Sequence, residues 1–171
     1  MMMEMISKNK KLRFGYTTGA CAAAAAKAAT MLLINPWLEI QDVEIPFPDG
    51  SRVKFKVHNT YIANNAATAS VIKDAGDDPD VTNGAEIVAE ARMQEAGGKN
   101  GCCPHFCIKG GKGVGIVAKP GLPVSVGEPA INPVPRQMIK EAVLEAIQLS
   151  TVNCQLLRFL LLMARSWQRR P

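Results

Sequence analysis

Several protein classes are excluded by what this chain of 171 residues does not contain. Met1 to Lys11 holds no apolar run of the length an export signal needs, so a cytoplasmic protein is expected. Near the other end, Leu156 to Ala164 is interrupted by Arg158 and falls well short of the roughly 20 residues that span a bilayer. A membrane anchor is therefore not expected. The cysteines number 5, an odd count, and with no secretion signal they read as thiols and not as a disulfide framework. No internal repeat is visible.

The net charge of +5 suggests a nucleic-acid partner until it is located along the chain. Residues 1–145 hold 16 Lys and Arg against 15 Asp and Glu, a net of only +1, while residues 146–171 add 4 Arg and no acid. The excess is thus confined to the tail, and no nucleic-acid face is expected. The tail also lacks lysine, whereas upstream of it 12 lysines accompany 4 arginines. So abrupt a shift reads as a change of reading frame; a basic terminal helix docking on a partner is the plainer alternative.

With 47% apolar and 20% charged residues the chain can bury one core, which implies one domain or one domain plus a fragment. Thr17-Thr18-Gly19 ahead of the alanine run Ala20 to Leu33 is a helix start, and Pro36 is its stop. The alanines leave that helix so little bulk that a neighbouring element or a flat ligand can approach its backbone. Val43 to Phe47 and Val53 to Val57 flank Pro48-Asp49-Gly50 and predict a hairpin, with Val53, Phe55 and Val57 alternating against Lys54 and Lys56. His58, alone on a strand, reads as structural.

Ala69 to Ile72 predicts a short buried strand delivering a loop rich in aspartate, after which Ala85 to Glu95 has helical character. Phe106 to Lys109 and Val114 to Ala118 are short apolar runs that read as two strands around a glycine-rich tight turn. Pro135 suits the first turn of a helix whose stripe is Met138, Ile139, Ala142, Val143, Ala146 and Ile147. Taken together these predict an α+β domain over residues 8–147, a short antiparallel or mixed sheet with the alanine-rich helix and an amphipathic helix near 136–147. Residues 148–171 form a separate basic tail.

Four segments could carry chemistry. Gly15 to Cys21 puts two hydroxyls and unpaired backbone N–H groups at a helix start, which suits an anion, although Thr17 or Thr18 as a plain cap is the simpler use. Asp74, Asp77, Asp78 and Asp80 suggest a divalent metal or a ligand with hydroxyl and ammonium groups. Their spacing does not match a calcium loop, and a solvated acidic loop ahead of a helix dipole is the alternative. Gly110 to Gly115 imitates nucleotide loops, but Lys119-Pro120 leaves no helix for a pyrophosphate and Gly113 stands where a Walker loop needs Ser or Thr. Cys102, Cys103, His105 and Cys107 offer four soft ligands without the second, separated pair of a structural zinc site. They support, as an alternative, a non-enzymatic metal or redox module.

Three of these stretches together resemble one family. They are Arg13 to Ala29 (RFGYTTGACAAAAAKAA), Val71 to Ile87 (VIKDAGDDPDVTNGAEI) and Ile108 to Ile139 (IKGGKGVGIVAKPGLPVSVGEPAINPVPRQMI). They are similar, in the same order, to the cobalt-precorrin-5B C(1)-methyltransferase family of the CbiD type. The resemblance covers Leu12 to Ala146, about the first half of a family member; the cysteine-bearing Gly97 to Phe106 and the tail depart from it. It implies methyl transfer from S-adenosylmethionine to a ring carbon of a cobalt-bearing tetrapyrrole in cobalamin biosynthesis, the cobalt belonging to the substrate. It also implies that this chain is an incomplete piece of the enzyme, prone to self-association.

An electron-rich carbon attacking a sulfonium methyl needs in-line placement more than a strong base, which fits a chain with only 2 histidines. On this resemblance, Thr17, Thr18, Gly19, Lys73, Lys112, Lys119 and Arg136 are expected to grip the acetate and propionate groups of the substrate. Asp74, Asp77, Asp78, Asp80, Gly111 and Gly113 are expected around the methyl donor. Catalytic residues and a protein-bound metal are not assigned.

Overall fold

The computed structural model describes residues 12–94, 106–121, 123–149 and 158–166. In chain order the elements are α1 (Thr18–Ile34), β1 (Asp42–Pro46), β2 (Arg52–Lys56), β3 (Asn59–Ala63), β4 (Ala66–Ile72), β5 (Glu86–Gln94), β6 (Phe106–Gly110), α2 (Pro133–Gln148) and β7 (Arg158–Ser166). β1 and β2 form a two-stranded sheet, and the remaining strands form a five-stranded sheet in the order β3-β4-β5-β7-β6. All pairings are antiparallel except β6 with β7, so the expected α+β class with a mixed sheet is met.

α1 begins where Thr17, in extended backbone, accepts a hydrogen bond on Oγ1 from the Ala20 N–H at 3.2 Å. It ends at Asn35, just before Pro36. The alanines from Ala20 to Ala29 are all buried, so the helix has no wet face. A helix apolar all round must be enclosed, and α1 is sandwiched between α2 and the strands β4 and β5. α2 turns the predicted stripe inward: Met138, Ile139, Ala142, Val143 and Ala146 are buried, and Ile147 packs against them. Ile139 and Val143 are enclosed completely, and each such burial contributes roughly 1.5–3 kcal/mol.

The hairpin forms as expected, with Val43 opposite Phe55 and Ile45 opposite Val53, and with Gly50 at a φ of +83° in the turn. Lys27, buried in the middle of α1, donates to the Glu44 carbonyl and to Glu145 Oε2, both at 2.6 Å. Arg52 reaches Glu145 Oε1 at 2.7 Å and also pairs with Glu44. This network stitches α1, α2 and the hairpin together. Burial pushes the Glu145 carboxyl up, but the hydrogen bonds from Lys27 and Arg52 outweigh it and leave it below its ordinary value.

Two expectations are corrected. Residues 85–95 do not form a helix, because Glu86–Gln94 is β5. Its composition favours helix, yet Ile87, Ala89 and Ala91 alternate onto the face packed against α1 while Glu86, Val88 and Glu90 point away half-buried. Burial of a face with period two overrides the helical propensity of alanine, glutamate and arginine. Val114 to Ala118 is not a strand: a single bridge joins Ile116 to Pro129, in a stretch where proline removes ladder donors. His58 lies just beyond β2 and is exposed.

Candidate functional site

The site is built where an arm, residues 12–17, crosses the loop that joins β4 to β5. Phe14 bridges Gly76, the Tyr16 N–H donates to the Asp74 carbonyl at 2.7 Å, and the Asp77 N–H donates to the Arg13 carbonyl at 3.0 Å. The crossing is so close that a Cβ on Gly15 would sit 1.8 Å from the Ala75 carbonyl carbon. On the opposite side, Gly76 has a φ of +64° and a Cβ there would lie 2.2 Å from the Arg13 carbonyl oxygen. Only glycine fits either position. The Arg13 guanidinium clasps both Asp74 carboxylate oxygens at 2.8 and 2.9 Å, a planar fork that fixes orientation although the pair is exposed. Tyr16 anchors the arm on the hairpin, its ring centroid 4.7 Å from that of Phe55.

Beyond the crossing, the loop folds onto the start of α1. Lys73, 2% exposed, donates to Asp80, to Thr82 Oγ1 at 2.7 Å and to Thr18 Oγ1 at 3.3 Å. Asp80 Oδ1 also accepts from the Thr82 N–H at 2.7 Å and from the Thr82 hydroxyl at 2.5 Å. The hydrogen bond from Lys73, followed by those from Thr82, holds the Asp80 carboxyl well below the usual carboxylate range. A strand and not a helix follows this loop, so the helix dipole its aspartates were expected to precede is not there.

The starts of the two helices meet here. A Cβ on Gly19 would lie 2.8 Å from Pro135 Cγ, so glycine lets α2 approach α1. Asn132 precedes α2 without using its side chain as a cap, and Pro133 and Pro135 remove two N–H groups from its first turn. At α1, Ala20 and Cys21 N–H groups bond Thr17, which leaves those of Thr18 and Gly19 without a partner among the described residues. Cys21 is buried, and burial pushes its thiol up to about 12, against the pull of Lys73. It is an inert packing group and no nucleophile.

Two clefts open on this junction and share Thr18, Gly19, Asn132 and Pro135 as a common wall. The larger, of about 850 Å³, has Asp77, Asp78 and Asp80 on one side and an apolar rim of Leu12, Phe14 and Val134. The smaller, of about 260 Å³, runs between Ala22, Ile87 and Ile139 on the core side and Gly113, Val114 and Gly115. Segments far apart in the sequence thus converge on a polar floor with apolar lips.

Of the residues expected from sequence, Thr17, Thr18, Gly19, Lys73, Asp77, Asp78 and Asp80 line the larger cleft and Gly113 the smaller. Asp74 faces Arg13 and a neighbouring cleft under Tyr16. Arg136 is engaged with the carbonyls of Ile131 and Pro129 and with Glu128, where it braces the proline-rich stretch. Gly111, Lys112 and Lys119 lie outside both clefts. Arg13, Thr82 and Asn132 were not expected; Arg13 stands in the first motif, but its partners Asp74 and Asp77 lie more than sixty residues away, and Thr82 stands in the second, where its bonds to Lys73 and Asp80 appear only once the loop is folded. Among the described residues, no group of three or more His, Cys, Asp or Glu is placed to hold a metal ion. Of Cys102, Cys103, His105 and Cys107 only Cys107 is described, as an exposed free thiol; the other three lie outside the described residues.

The CbiD family model matches residues 5–157. The chain belongs to the CbiD family. This CbiD chain is 54% identical over 136 residues to the cobalt-precorrin-5B C(1)-methyltransferase of Geobacter metallireducens, a match covering 80% of the chain and 36% of that protein. With the protein of the same name from Clostridium perfringens it shares 47% identity over 145 residues, 85% of the chain and 37% of the relative. Its fold matches the crystal structure of the cobalamin biosynthesis protein CbiD from Archaeoglobus fulgidus with a TM-score of 0.58 at 28% identity, over 89% of this chain and 44% of that one. The CbiD chain spans only 36% to 40% of the length of the curated relatives it matches. No helix among its described residues is long and apolar enough to cross a membrane.

Proposed function

We propose that this chain supplies part of the ligand-binding cleft of a cobalt-precorrin-5B C(1)-methyltransferase, which uses S-adenosylmethionine to methylate carbon 1 of a cobalt-bearing tetrapyrrole in cobalamin biosynthesis. The observation that carries the reading is the junction at Thr18 and Gly19, where the arm, the aspartate loop and the start of α2 form one cleft. A sulfonium donor supplies an electrophilic methyl group, and the new C–C bond forms as the C–S bond breaks. The protein's task is to align the two partners and keep water away.

The pieces suit that task. The unpartnered N–H groups of Thr18 and Gly19 favour a peripheral carboxylate of the macrocycle, and the Leu12, Phe14 and Val134 rim offers apolar surface to its flat ring. Asp77, Asp78 and Asp80 suit the hydroxyls and ammonium of the donor, with Gly113 allowing close approach from the smaller cleft. Arg136, with its hydrogen bonds spent inside the protein, is assigned to bracing. Lys112 and Lys119, exposed outside the clefts, fit outer carboxylates of a ring larger than the cleft.

The same proposal treats residues 8–147 as one α+β unit and 148–171 as a tail of different composition. The family match reaches residue 157, and β7 from the tail pairs with β5 and β6. DNA sequence past the codon for Gln148 tests the tail: a family-like continuation in another frame supports the division, and its absence removes it. The protein is taken to work in the cytoplasm without nucleic-acid or membrane partners, and its exposed apolar rim favours self-association, which sedimentation would detect.

Calorimetric titration of the chain with S-adenosylhomocysteine and with cobyrinic acid, a cobalt corrinoid bearing several carboxylates, tests the function. Binding of both is expected, with Asp77→Ala and Asp78→Ala weakening the adenosyl ligand about tenfold. Unchanged donor affinity in those variants refutes the aspartate assignment, and no binding of either ligand refutes the function.

A further inference from the structure

Among the described residues, Lys73 is the one charged group in the cleft floor that is fully enclosed, and its hydrogen bonds leave it nothing to offer a ligand. An ammonium has three N–H donors. Here they meet Asp80 Oδ2, Thr82 Oγ1 and Thr18 Oγ1. A buried lysine that grips a carboxylate needs a free donor aimed outward, and this one has none among the described residues.

The consequence falls on Thr18. A hydroxyl carries one proton and two lone pairs, and Lys73 occupies a lone pair on Thr18 Oγ1. The other hydrogen-bond contact of Thr18 Oγ1 among the described residues is Thr82 Oγ1 at 3.5 Å, too long for a well-formed O–H···O bond. Thr82 spends its own proton on Asp80, so it is no donor to Thr18, and at this separation it is a poor acceptor. The Thr18 proton is left for the clefts, whose shared wall Thr18 forms.

We infer that Lys73 is a positioning residue: it docks the Asp80–Thr82 turn onto the start of α1 and makes the Thr18 hydroxyl a donor toward an acceptor ligand such as a carboxylate, without touching that ligand. The identity of the ligand rests on the function proposed above; the strut itself does not.

A double-mutant cycle reads the role directly. Lys73→Met and Thr18→Val are each expected to weaken cobyrinic acid about tenfold, and the double variant to lose no more than either alone, because both break one path. Thermal melting of all four proteins confirms that the folded fraction is unchanged, and the salt dependence of affinity stays that of the wild type in Lys73→Met. A roughly hundredfold loss in the double variant, or a shallower salt dependence in Lys73→Met, means that Lys73 meets the ligand by itself and overturns the inference. Competitive acetylation with acetic anhydride supplies the arm that needs no ligand. Lys73 is expected to react far more slowly than exposed Lys140 in the free protein, and several-fold faster in Thr18→Val. Reactivity equal to that of Lys140, or protection that appears only with cobyrinic acid, refutes the strut. If the wild type binds no corrinoid while Lys73 stays protected and responds to Thr18→Val, the function falls and the strut stands.

Discussion

Lys27 and Lys73 are both buried ammonium groups, and their partners differ in kind. Lys27 is held by Glu44 and Glu145, which belong to the hairpin and to α2, and Arg52 closes the network on the outside. None of these groups borders the two clefts at the start of α1. Lys73 is held by Thr18, Asp80 and Thr82, and two of those three border the larger cleft. A buried charge needs partners wherever it sits. In one place the partners join three structural elements, and in the other they line a cleft. Mutations in the two networks should therefore separate stability from binding.

The largest effect is expected on the Lys27 side. Glu145→Ala leaves Lys27 enclosed with a lone carbonyl and should cost about 3 kcal/mol of stability, seen as a lower denaturant midpoint, while the folded protein keeps its affinity for cobyrinic acid. A loss of affinity matching the loss of stability would merge the two networks. Gly15→Ala comes next, because its Cβ must displace the Ala75 backbone. Overpacking of this kind costs about 2 kcal/mol, and here binding should fall as well, since the arm no longer closes on Gly76. Thr17→Ala removes the N-cap of α1 and should cost about 1 kcal/mol, with a small loss of corrinoid affinity.

The smallest effect concerns acid. The folded Asp80 carboxyl lies below its ordinary value, so its contribution is present above the unfolded value near about 4 and is lost as pH falls toward the folded one. Asp80→Asn should flatten the fall in stability between about pH 5 and about pH 2. An unchanged acid limb in Asp80→Asn would show that Lys73 does not hold this carboxylate ionised.

Much of the scaffold was legible because local signals and burial agree. Thr17 ahead of an alanine run, Pro48-Asp49-Gly50 between alternating residues, and the stripe from Met138 to Ile147 each fixed an element. β5 was misread because Ala85, Glu86, Ala89, Glu90, Ala91 and Arg92 are good helix formers, and only the presence of α1 makes their alternation decisive. The first half of β4 is hidden because Ala66 and Ala67 carry little strand signal, and β3 because Thr60, Tyr61 and Ile62, good strand formers, make so short a run between asparagines and an alanine. In the candidate site, motif membership singled out Thr18, Asp77, Asp78 and Asp80, which the fold brings to one cleft, because a helix start and an acidic loop are local signals. Arg13 with Asp74, and Lys73 with Thr18, are contacts across 61 and 55 residues, which spacing cannot reveal. Lys73 read as a grip on substrate carboxylates, and its burial is a feature that no sequence pattern displays.

Three segments, distant in the chain, should close together on one bound corrinoid. Paramagnetic NMR with a cobalt(II) corrinoid polycarboxylate tests it in a single spectrum series. Amide signals of residues 13–19, 74–84 and 131–135 should broaden together, with those around Lys27 and Arg52 untouched. Broadening confined to one segment, or centred on the hairpin face, would contradict the account.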